Sequence, residues 1–332
     1  MIKPQDLQIF IATFNRPAYL KNSLESILAQ TVQGFELTIL DNSDNSETQE
    51  AVKPYLSETV KYVRTQPLNN PSSNFYKARE IADKKYVMSF HDDDQMNPRY
   101  IESVLAVINE FKNVNIVTGK CTNFYGEKLR SFPQNFNRKA VVLENKAEFA
   151  AYLFAYGKGG ANTPATVYRT DYFKTADPLL HFHKNADWPF AIEGLMDGKA
   201  VVIHDDYCVL TRQHPGQDSG NSQRNGTELP NLFAWMEYFT GYLKPNDPQS
   251  PYRNMYRVYV YNMLKGLYNY LKPSEKAAMS WEALLEEAKK RGMIDEIAVN
   301  KGNYRKNLFS RLLTAPYRLA NKFDIKSKIK RF

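Results

Sequence analysis

Residues 86–95 read YVMSFHDDDQ, an apolar run followed directly by three aspartates. The run has the length and composition of a buried strand. Side chains alternate between the two faces of an extended chain, so Asp92 and Asp94 are expected to point the same way and to share one divalent cation or polar ligand. Three adjacent carboxylates repel one another, so solvent, a metal or another cation has to neutralise them. A solvated acidic turn is the alternative interpretation.

Two earlier apolar runs also end in polar residues. Residues 7–12 (LQIFIA) stop at Thr13, and residues 35–40 (FELTIL) stop at Asp41. Each run has strand character and is followed by a helical pattern, the first of which we expect to begin with Asn15 as its N-cap. The alternation of strand and helix predicts an α/β fold.

This order predicts a mainly parallel sheet flanked by helices, because parallel neighbours need a crossover connection of helix length. In an open sheet of this kind, ligands bind beyond the carboxyl ends of the strands. Thr13, Asp41 and Asp92 all fall at such ends. The sequence therefore predicts one binding site along this edge.

The combination resembles the inverting glycosyltransferases of family 2, which have the GT-A fold and use nucleotide-diphosphate sugars. The resemblance covers roughly the first 220 residues, and the order and spacing of its motifs make it more specific than any one motif. The matching segments are residues 11–16 (IATFNR), 39–43 (ILDNS), 77–80 (KARE) and 90–94 (FHDDD).

The resemblance implies a nucleotide-binding set. Thr13, Phe14 and Asp41 would hold the uracil of a UDP-sugar, and Arg79 would lie near the nucleotide. The family usually has a second acid where Asn42 stands, so recognition of the base differs here in at least one position.

The resemblance also implies a Mn²⁺ or Mg²⁺ site. Asp92 and Asp93 would face the ribose and the diphosphate, and Asp94 and Asp92 would bind the metal. His214 matches the late Arg-x-His segment of the family, in which the histidine approaches the metal, although a structural histidine is the alternative. A cation held by carboxylates stabilises the charge that develops on a leaving diphosphate.

Asp187, within residues 185–190 (NADWPF), is the candidate catalytic base. In the family an acidic pair stands here at the start of a helix, and its aspartate removes the proton of the acceptor hydroxyl. The first member of the pair is Ala186 in this chain. The alternative is that Asp187 only caps the helix.

The basic charge is concentrated at the end of the chain. Residues 301–332 contain ten Lys or Arg and one acid, a net charge of +9, whereas the whole chain carries +8. Apolar residues are interleaved with these cations, a pattern that favours binding to an anionic membrane surface. An oligomerisation tail is an alternative. Nucleic acid is not expected as a partner, because no nucleic-acid motif is present and the acidic cluster would repel phosphates.

Composition points to a cytoplasmic enzyme that lies peripherally at the inner face of the cell membrane. The chain has two cysteines, no secretory signal at residues 1–10 and no apolar stretch long enough to span a bilayer. We expect a GT-A catalytic domain at residues 1–225, a helical extension at 226–300 and a basic amphipathic tail at 301–332.

The predicted function is metal-dependent, inverting transfer of a sugar from a UDP-sugar to a glycan or lipid-linked acceptor, in bacterial surface polysaccharide synthesis. Two alternatives stay open. Ala186 and Asn42 would also suit a nucleotide-sugar-binding or scaffold protein that has lost catalysis. A nucleotidyltransferase or phosphotransferase would also use paired carboxylates with Mg²⁺.

Overall fold

A computed structural model describes residues 1–66, 71–126, 130–132, 139–156, 161–176, 182, 185–203, 207–214, 229–295 and 329–331. The strands of this part of the chain are β1 (Leu7–Thr13), β2 (Glu36–Asp41), β3 (Val60–Arg64), β4 (Tyr86–His91), β5 (Gln95–Met96), β6 (Val114–Gly119), β7 (Cys121–Tyr125), β8 (Lys139–Leu143), β9 (Thr166–Arg169), β10 (Lys199–Ile203), β11 (Val209–Gln213) and β12 (Ile329–Arg331). The helices are α1 (Pro17–Leu28), α2 (Glu47–Val52), α3 (Pro71–Ile81), α4 (Tyr100–Glu110), α5 (Lys146–Tyr156), α6 (Thr170–Thr175), α7 (Asp187–Gly194), α8 (Leu229–Leu243), α9 (Arg253–Tyr270), α10 (Pro273–Ala278) and α11 (Trp281–Lys290).

A large sheet has the strand order β12-β8-β10-β6-β9-β4-β1-β2-β3. Seven of these strands run in one direction, and β8 and β9 run in the other. A small second sheet has the order β5-β11-β7. The prediction of an α/β fold with a mainly parallel sheet is confirmed.

The central strands are apolar on both faces because helices cover both sides of the sheet. On β1, Leu7, Ile9 and Ile11 belong to a core that also contains the apolar stripes of α1 and α4, whereas Phe10 faces the other core, with α3, α5 and α7. All four of these side chains are at most 1% exposed. Burial of one such side chain stabilises the fold by about 1.5–3 kcal/mol.

The start of α1 differs from the prediction. The helix begins at Pro17 with Arg16 at the N-cap position, so the expected N-cap at Asn15 is wrong. Asn15 has a φ of +52°, a left-handed conformation that asparagine tolerates better than most residues. Its side-chain oxygen accepts hydrogen bonds from the Asp44 amide (3.3 Å) and from Asn45 Nδ2 (3.2 Å). Asn15 therefore holds the loop after β2 instead of capping a helix.

Helices α8 and α9 pack against α5 and share its core, so the predicted helical extension is present. The expected boundary near residue 225 lies outside the described residues, and the division into domains stays a prediction. Most of the basic tail also lies outside them. The exception is β12, which pairs antiparallel with β8 at the edge of the large sheet. No helix in the described part of the chain is long and apolar enough to cross a membrane.

Candidate active site

Two parallel strands bring the first pair of predicted residues together. β1 and β4 are neighbours in register, with Ala12 opposite His91, so both end at the same edge of the sheet. There the hydroxyl of Thr13 donates a hydrogen bond of 2.8 Å to Asp92 Oδ2, and both residues are buried. The edge of the sheet predicted from the strand pattern is thus the place where these side chains meet.

Arg16 contacts both Asp92 and Asp93, and His214 contacts Asp93. Arg16 Nη1 lies 3.1 Å from Asp93 Oδ2, and its Nε lies 3.5 Å from Asp92 Oδ2. His214 Nε2 lies 3.0 Å from the same Oδ2 of Asp93. His214 is therefore placed with the carboxylates, as expected. Arg16 had no predicted role, although it ends the first matching segment and is the first cation after β1.

Asp94 occupies a different environment. Its Oδ1 accepts a hydrogen bond of 3.0 Å from the backbone amide of Arg212, and its Oδ2 lies 3.2 Å from His91 Nδ1. Asp94 Oδ2 is buried and accepts no hydrogen bond from the described residues. His91, Asp93 and Asp94 offer ligand atoms that all lie within 4.8 Å of one another. A nitrogen and two carboxylate oxygens at this spacing fit a divalent cation such as Mn²⁺.

Asp92 and Asp94 were expected to point the same way from one face of an extended chain, and the structure differs from this expectation. The alternation of an extended chain ends at His91, because Asp92 and Asp93 form a turn. Asp92 Oδ2 consequently faces Thr13, and the group around Asp94 contains His91 and Asp93. The sequence had suggested no role for His91.

The charges in this cluster compensate one another. Burial raises the pKa of Asp92 to about 6, and the charge of Asp93 adds to this effect, whereas Arg16 opposes it. Burial also raises the pKa of Asp94, against the attraction of His91. Partial loss of hydration lowers the pKa of His91, but the carboxylates of Asp94 and Asp93 outweigh this and raise it to about 9. A cation that displaced the His91 proton would satisfy the same carboxylates.

Arg212 fixes the turn that carries the carboxylates. Its side chain is 1% exposed and lies between two rings, with the guanidinium carbon 5.1 Å from the centre of Tyr19 and 4.6 Å from that of Phe124. Arg212 Nε donates to the carbonyl oxygen of Asp93 (2.9 Å), and Nη1 donates to the carbonyl oxygen of Gly126. A buried guanidinium held by carbonyls and aromatic faces ties β11 and β7 to the turn.

Asp41 is fully buried and its carboxylate is engaged within the protein. Oδ1 accepts from the Ser43 amide (2.8 Å), and Oδ2 accepts from the Tyr62 hydroxyl (2.7 Å) and from Arg64 Nη1 (3.1 Å). Arg64 also donates to the carbonyl oxygens of Ser43 and Asn45. Asp41 therefore shapes the loop that follows β2, and a direct bond to a uracil would require some of these contacts to rearrange.

A buried amide pair lies beside this loop. Asn74 Nδ2 donates to the carbonyl oxygen of Thr13 (3.3 Å) and to Asn42 Oδ1 (3.1 Å), and Asn74 Oδ1 accepts from the Thr65 hydroxyl (2.5 Å). Asn42, which replaces an acid of the family pattern, is thus part of the scaffold. Asn74 was not singled out in the sequence, because its partners come from three separate segments.

The two remaining nucleotide-set residues are placed differently. Phe14 follows Thr13 at the end of β1 and is 37% exposed. Arg79 lies in the last turn of α3, and its Nε and Nη2 donate to the carbonyl oxygen of Lys174 at 3.2 and 2.7 Å. A crossover helix runs antiparallel to its strands, so its last turn points away from their carboxyl ends. The structure does not bring Arg79 to the carboxylates.

Asp187 is the first residue of α7, with Ala186 at the N-cap position, so the interpretation of Asp187 as the N-cap is wrong. Its carboxylate accepts two hydrogen bonds from Thr163, one from the hydroxyl (2.8 Å) and one from the amide (3.2 Å). The 3-10 turn Thr163–Ala165 packs against β4, which ends at the cluster. Burial raises the pKa of the Cys121 thiol, and the charges of Asp94 and Asp187 both add to this effect. Thr163 therefore ties Asp187 to the turn beside β4, the strand that ends at the cluster.

A carboxylate cluster at the strand ends of a mainly parallel, helix-flanked sheet lies where α/β proteins with open sheets bind their ligands. Comparison with known families is more specific. The family model described as Glycosyl transferase family 2 matches residues 8–174, and the chain belongs to this family.

Curated relatives match the chain over part of its length. A poly(ribitol-phosphate) beta-N-acetylglucosaminyltransferase, TarP of Staphylococcus aureus (strain N315), is 27% identical over 216 residues, covering 60% of this chain and 61% of TarP. The uncharacterized glycosyltransferase MJ1057 of Methanocaldococcus jannaschii is 27% identical over 115 residues, covering 33% of this chain and 40% of that protein. The chain thus matches less than two thirds of the length of either relative.

Solved structures support the fold. The S. aureus TarS 1-349 structure in complex with UDP superimposes with a TM-score of 0.54 at 16% identity, covering 83% of this chain and 77% of that one. The complex of TarS 1-349 with UDP-GlcNAc gives a TM-score of 0.55 at 15% identity, covering 87% and 78% of the two chains. Together with family membership, these likenesses confirm the predicted GT-A-type fold.

Proposed function

We propose that this protein transfers a sugar from a UDP-sugar to a hydroxyl of a glycan or lipid-linked acceptor, with inversion at the anomeric carbon. The observation that carries the proposal is that Thr163 holds the Asp187 carboxylate on a turn that packs against β4, the strand that ends at the carboxylates Asp92, Asp93 and Asp94. The names of the relatives narrow the choice of substrates. UDP-GlcNAc is the first donor to test, because TarS 1-349 has been solved with it, and a polyol phosphate polymer is the first acceptor, because TarP is named for one.

A divalent cation fits the residues present. His91, Asp93 and Asp94 would hold it, and the buried Asp94 Oδ2, which accepts no hydrogen bond from the described residues, is the natural oxygen ligand. When bound, such an ion stabilises the negative charge that develops on the leaving diphosphate. A set that includes an imidazole nitrogen favours Mn²⁺ over Mg²⁺, since Mg²⁺ prefers oxygen ligands.

The residues beside the cation site suit the donor. Thr13 holds Asp92 through one oxygen, which leaves the second oxygen of Asp92 able to accept a hydrogen bond from a ribose hydroxyl. Arg16 is 36% exposed at the rim and is already balanced against Asp92 and Asp93. We propose that its guanidinium turns to the diphosphate when the donor binds, because arginine recognises phosphate oxygens with paired N–H donors.

Asp187 supplies the base. Thr163 occupies one lone pair on each carboxylate oxygen, and each oxygen retains another. An acceptor hydroxyl hydrogen-bonded to one of these lone pairs would lose its proton to Asp187 as its oxygen attacks the anomeric carbon. Attack on the face opposite the departing UDP gives inversion in one displacement.

The experiment is incubation of the full chain with UDP-GlcNAc, Mn²⁺ and either poly(ribitol phosphate) or glycan acceptors, with separate measurement of UDP release and sugar incorporation. The expected products are UDP and an acceptor whose new linkage, read by NMR, has the inverted configuration. Donor binding without transfer to any acceptor would instead support a nucleotide-sugar-binding or scaffold protein. Release of GlcNAc 1-phosphate, with the uridylyl group on the acceptor, would indicate a nucleotidyltransferase. Release of UMP, with GlcNAc 1-phosphate on the acceptor, would indicate a phosphotransferase.

Location at the cytoplasmic face of a membrane is part of the proposal. It rests on the charge of +9 at residues 301–332 and on their interleaved apolar side chains. Such a tail would keep the catalytic domain beside a lipid-linked acceptor.

A further inference from the structure

We infer that Thr163 is a positioning residue that sets the orientation of the Asp187 carboxylate, an inference that rests on the proposed glycosyl transfer. A carboxylate at the first position of a helix can rotate about its side-chain bonds. The two hydrogen bonds from Thr163, at 2.8 and 3.2 Å, reach different oxygens of Asp187 and so fix the plane of the group. Precise orientation of the reacting groups contributes strongly to enzymatic rate.

The turn that carries Thr163 is held without the help of Asp187. The amide of Ala161 donates to the Thr118 hydroxyl (3.0 Å) on β6, and the Tyr100 hydroxyl donates to the carbonyl oxygen of Ala165 (2.6 Å). Ala161 also has a φ of +54°, a conformation that costs a non-glycine residue about 1 kcal/mol or more and persists only where the surroundings enforce it. Thr163 is therefore presented by a rigid turn.

Helix α7 is also held independently, through contacts beyond Asp187. The Tyr172 hydroxyl donates to the carbonyl oxygen of Phe190 (2.6 Å) in the middle of the helix. Near its end, Glu193 accepts hydrogen bonds from the hydroxyls of Tyr238 (2.5 Å) and Tyr242 (2.8 Å) and pairs with Lys146. Loss of the Thr163 hydroxyl should thus leave the helix in place and release only the carboxylate.

Loss of this orientation has a consequence for the rate. A carboxylate that samples several orientations is less often aligned with the acceptor hydroxyl, so kcat falls while donor binding is unchanged. A substitution that restores the hydroxyl should restore kcat.

The test compares Thr163→Val, which keeps the shape of the side chain but removes the hydroxyl, with Thr163→Ser, which restores it. Thr240→Val is the matched control, because its hydroxyl bonds only to the carbonyl of Glu237 on the exposed face of α8 among the contacts described. We expect the valine variant to lose about 10- to 100-fold in kcat with unchanged UDP affinity. The serine variant should recover most of the rate, and the control should match the wild type.

Equal activity of the valine variant and the wild type would overturn the inference, as would a serine variant as slow as the valine variant. A second readout does not depend on turnover. In protein labelled with carboxyl-¹³C aspartate and held at one pH, the chemical shift of the Asp187 resonance, assigned with Asp187→Asn, should change in Thr163→Val and return in Thr163→Ser, because the hydroxyl bond to Asp187 is lost and then restored. An unchanged chemical shift overturns the role of Thr163 even if transfer occurs. Absence of transfer by the wild type overturns the proposed function, and the NMR comparison still decides the pairing.

Discussion

Replacing Asp94 with Asn should separate cation binding from folding. In the wild type, Asp94 Oδ1 accepts the hydrogen bond of the Arg212 amide, and the carbonyl oxygen of an Asn side chain can accept the same bond. The other oxygen, which is buried beside His91, becomes an amide NH₂ that cannot bind a cation. The substitution thus keeps the structural contact and removes the ligand.

The magnitudes follow from these contacts. Even changes to groups that only orient metal ligands lower metal affinity by about 10- to 100-fold, so loss of a charged ligand should cost about 100-fold or more, or about 2.7 kcal/mol. The fold loses an ion pair with the half-exposed ring of His91, which contributes at most about 1 kcal/mol. Removing a buried charge offsets part of that loss. Stability should therefore change by less than about 1 kcal/mol.

Calorimetry with Mn²⁺, followed by calorimetry of UDP in the presence of Mn²⁺, measures the loss of cation affinity. Urea unfolding measures the change in stability. Asp171→Asn is the matched control, because this exposed carboxylate on α6 pairs with Arg169 of β9, beside the start of β4 and away from the cluster. Mn²⁺ affinity equal to that of the wild type in Asp94→Asn would refute the assignment. Loss of several kcal/mol of stability would show that Asp94 acts mainly in the fold.

His91→Asn should lower Mn²⁺ affinity by about tenfold or more, and by more than His214→Asn does, because of these two histidines only His91 belongs to the three-donor cluster. A Mn²⁺ titration in which His214→Asn loses as much affinity as His91→Asn, or more, would contradict this. Hydrogen bonds from Lys146 and two tyrosines overcome the opposing effect of burial and hold the pKa of Glu193 below its ordinary value. The stability that the Glu193 carboxylate contributes is therefore present above its ordinary pKa and is lost as pH falls through the lower pKa of the folded state. Glu193→Gln should thus be less stable than the wild type by about 1 kcal/mol at pH 7 and equal to it near pH 2. A stability difference between the two proteins that does not change with pH in urea unfolding would be inconsistent with this. A chain ending at residue 300 should lose co-sedimentation with anionic vesicles, and the full chain should bind them less as salt rises; equal binding by both chains would point to an oligomerisation tail.

The edge where the site forms was predictable from sequence. Parallel strands end at one edge, so the pattern after β1 and β4 was enough to place Thr13 beside Asp92. The composition of the cluster was less predictable. The rule of alternation fails where β4 ends and the chain turns at Asp92 and Asp93, and this turn brings His91 to Asp94.

Contacts between distant segments explain what the sequence did not reveal. Arg16 and Asp93 are 77 residues apart, and Arg212 and Asp93 are 119 apart, so no local spacing marks either pair. The misplacement of Arg79 has another cause. A motif within a helix does not show which end of the helix faces the site, and Arg79 lies in the last turn of α3.

The most direct test of the proposed transfer is kcat of Asp187→Asn, measured with saturating donor and acceptor beside the affinity for UDP with Mn²⁺. An Asn side chain can keep both contacts with Thr163, since the hydroxyl of Thr163 can also accept a hydrogen bond. The variant should bind UDP as the wild type does, whereas kcat should fall by about 10²- to 10⁴-fold, because the acceptor hydroxyl has lost its base. Turnover near the wild-type rate would contradict the proposal and leave Asp187 with a structural role only.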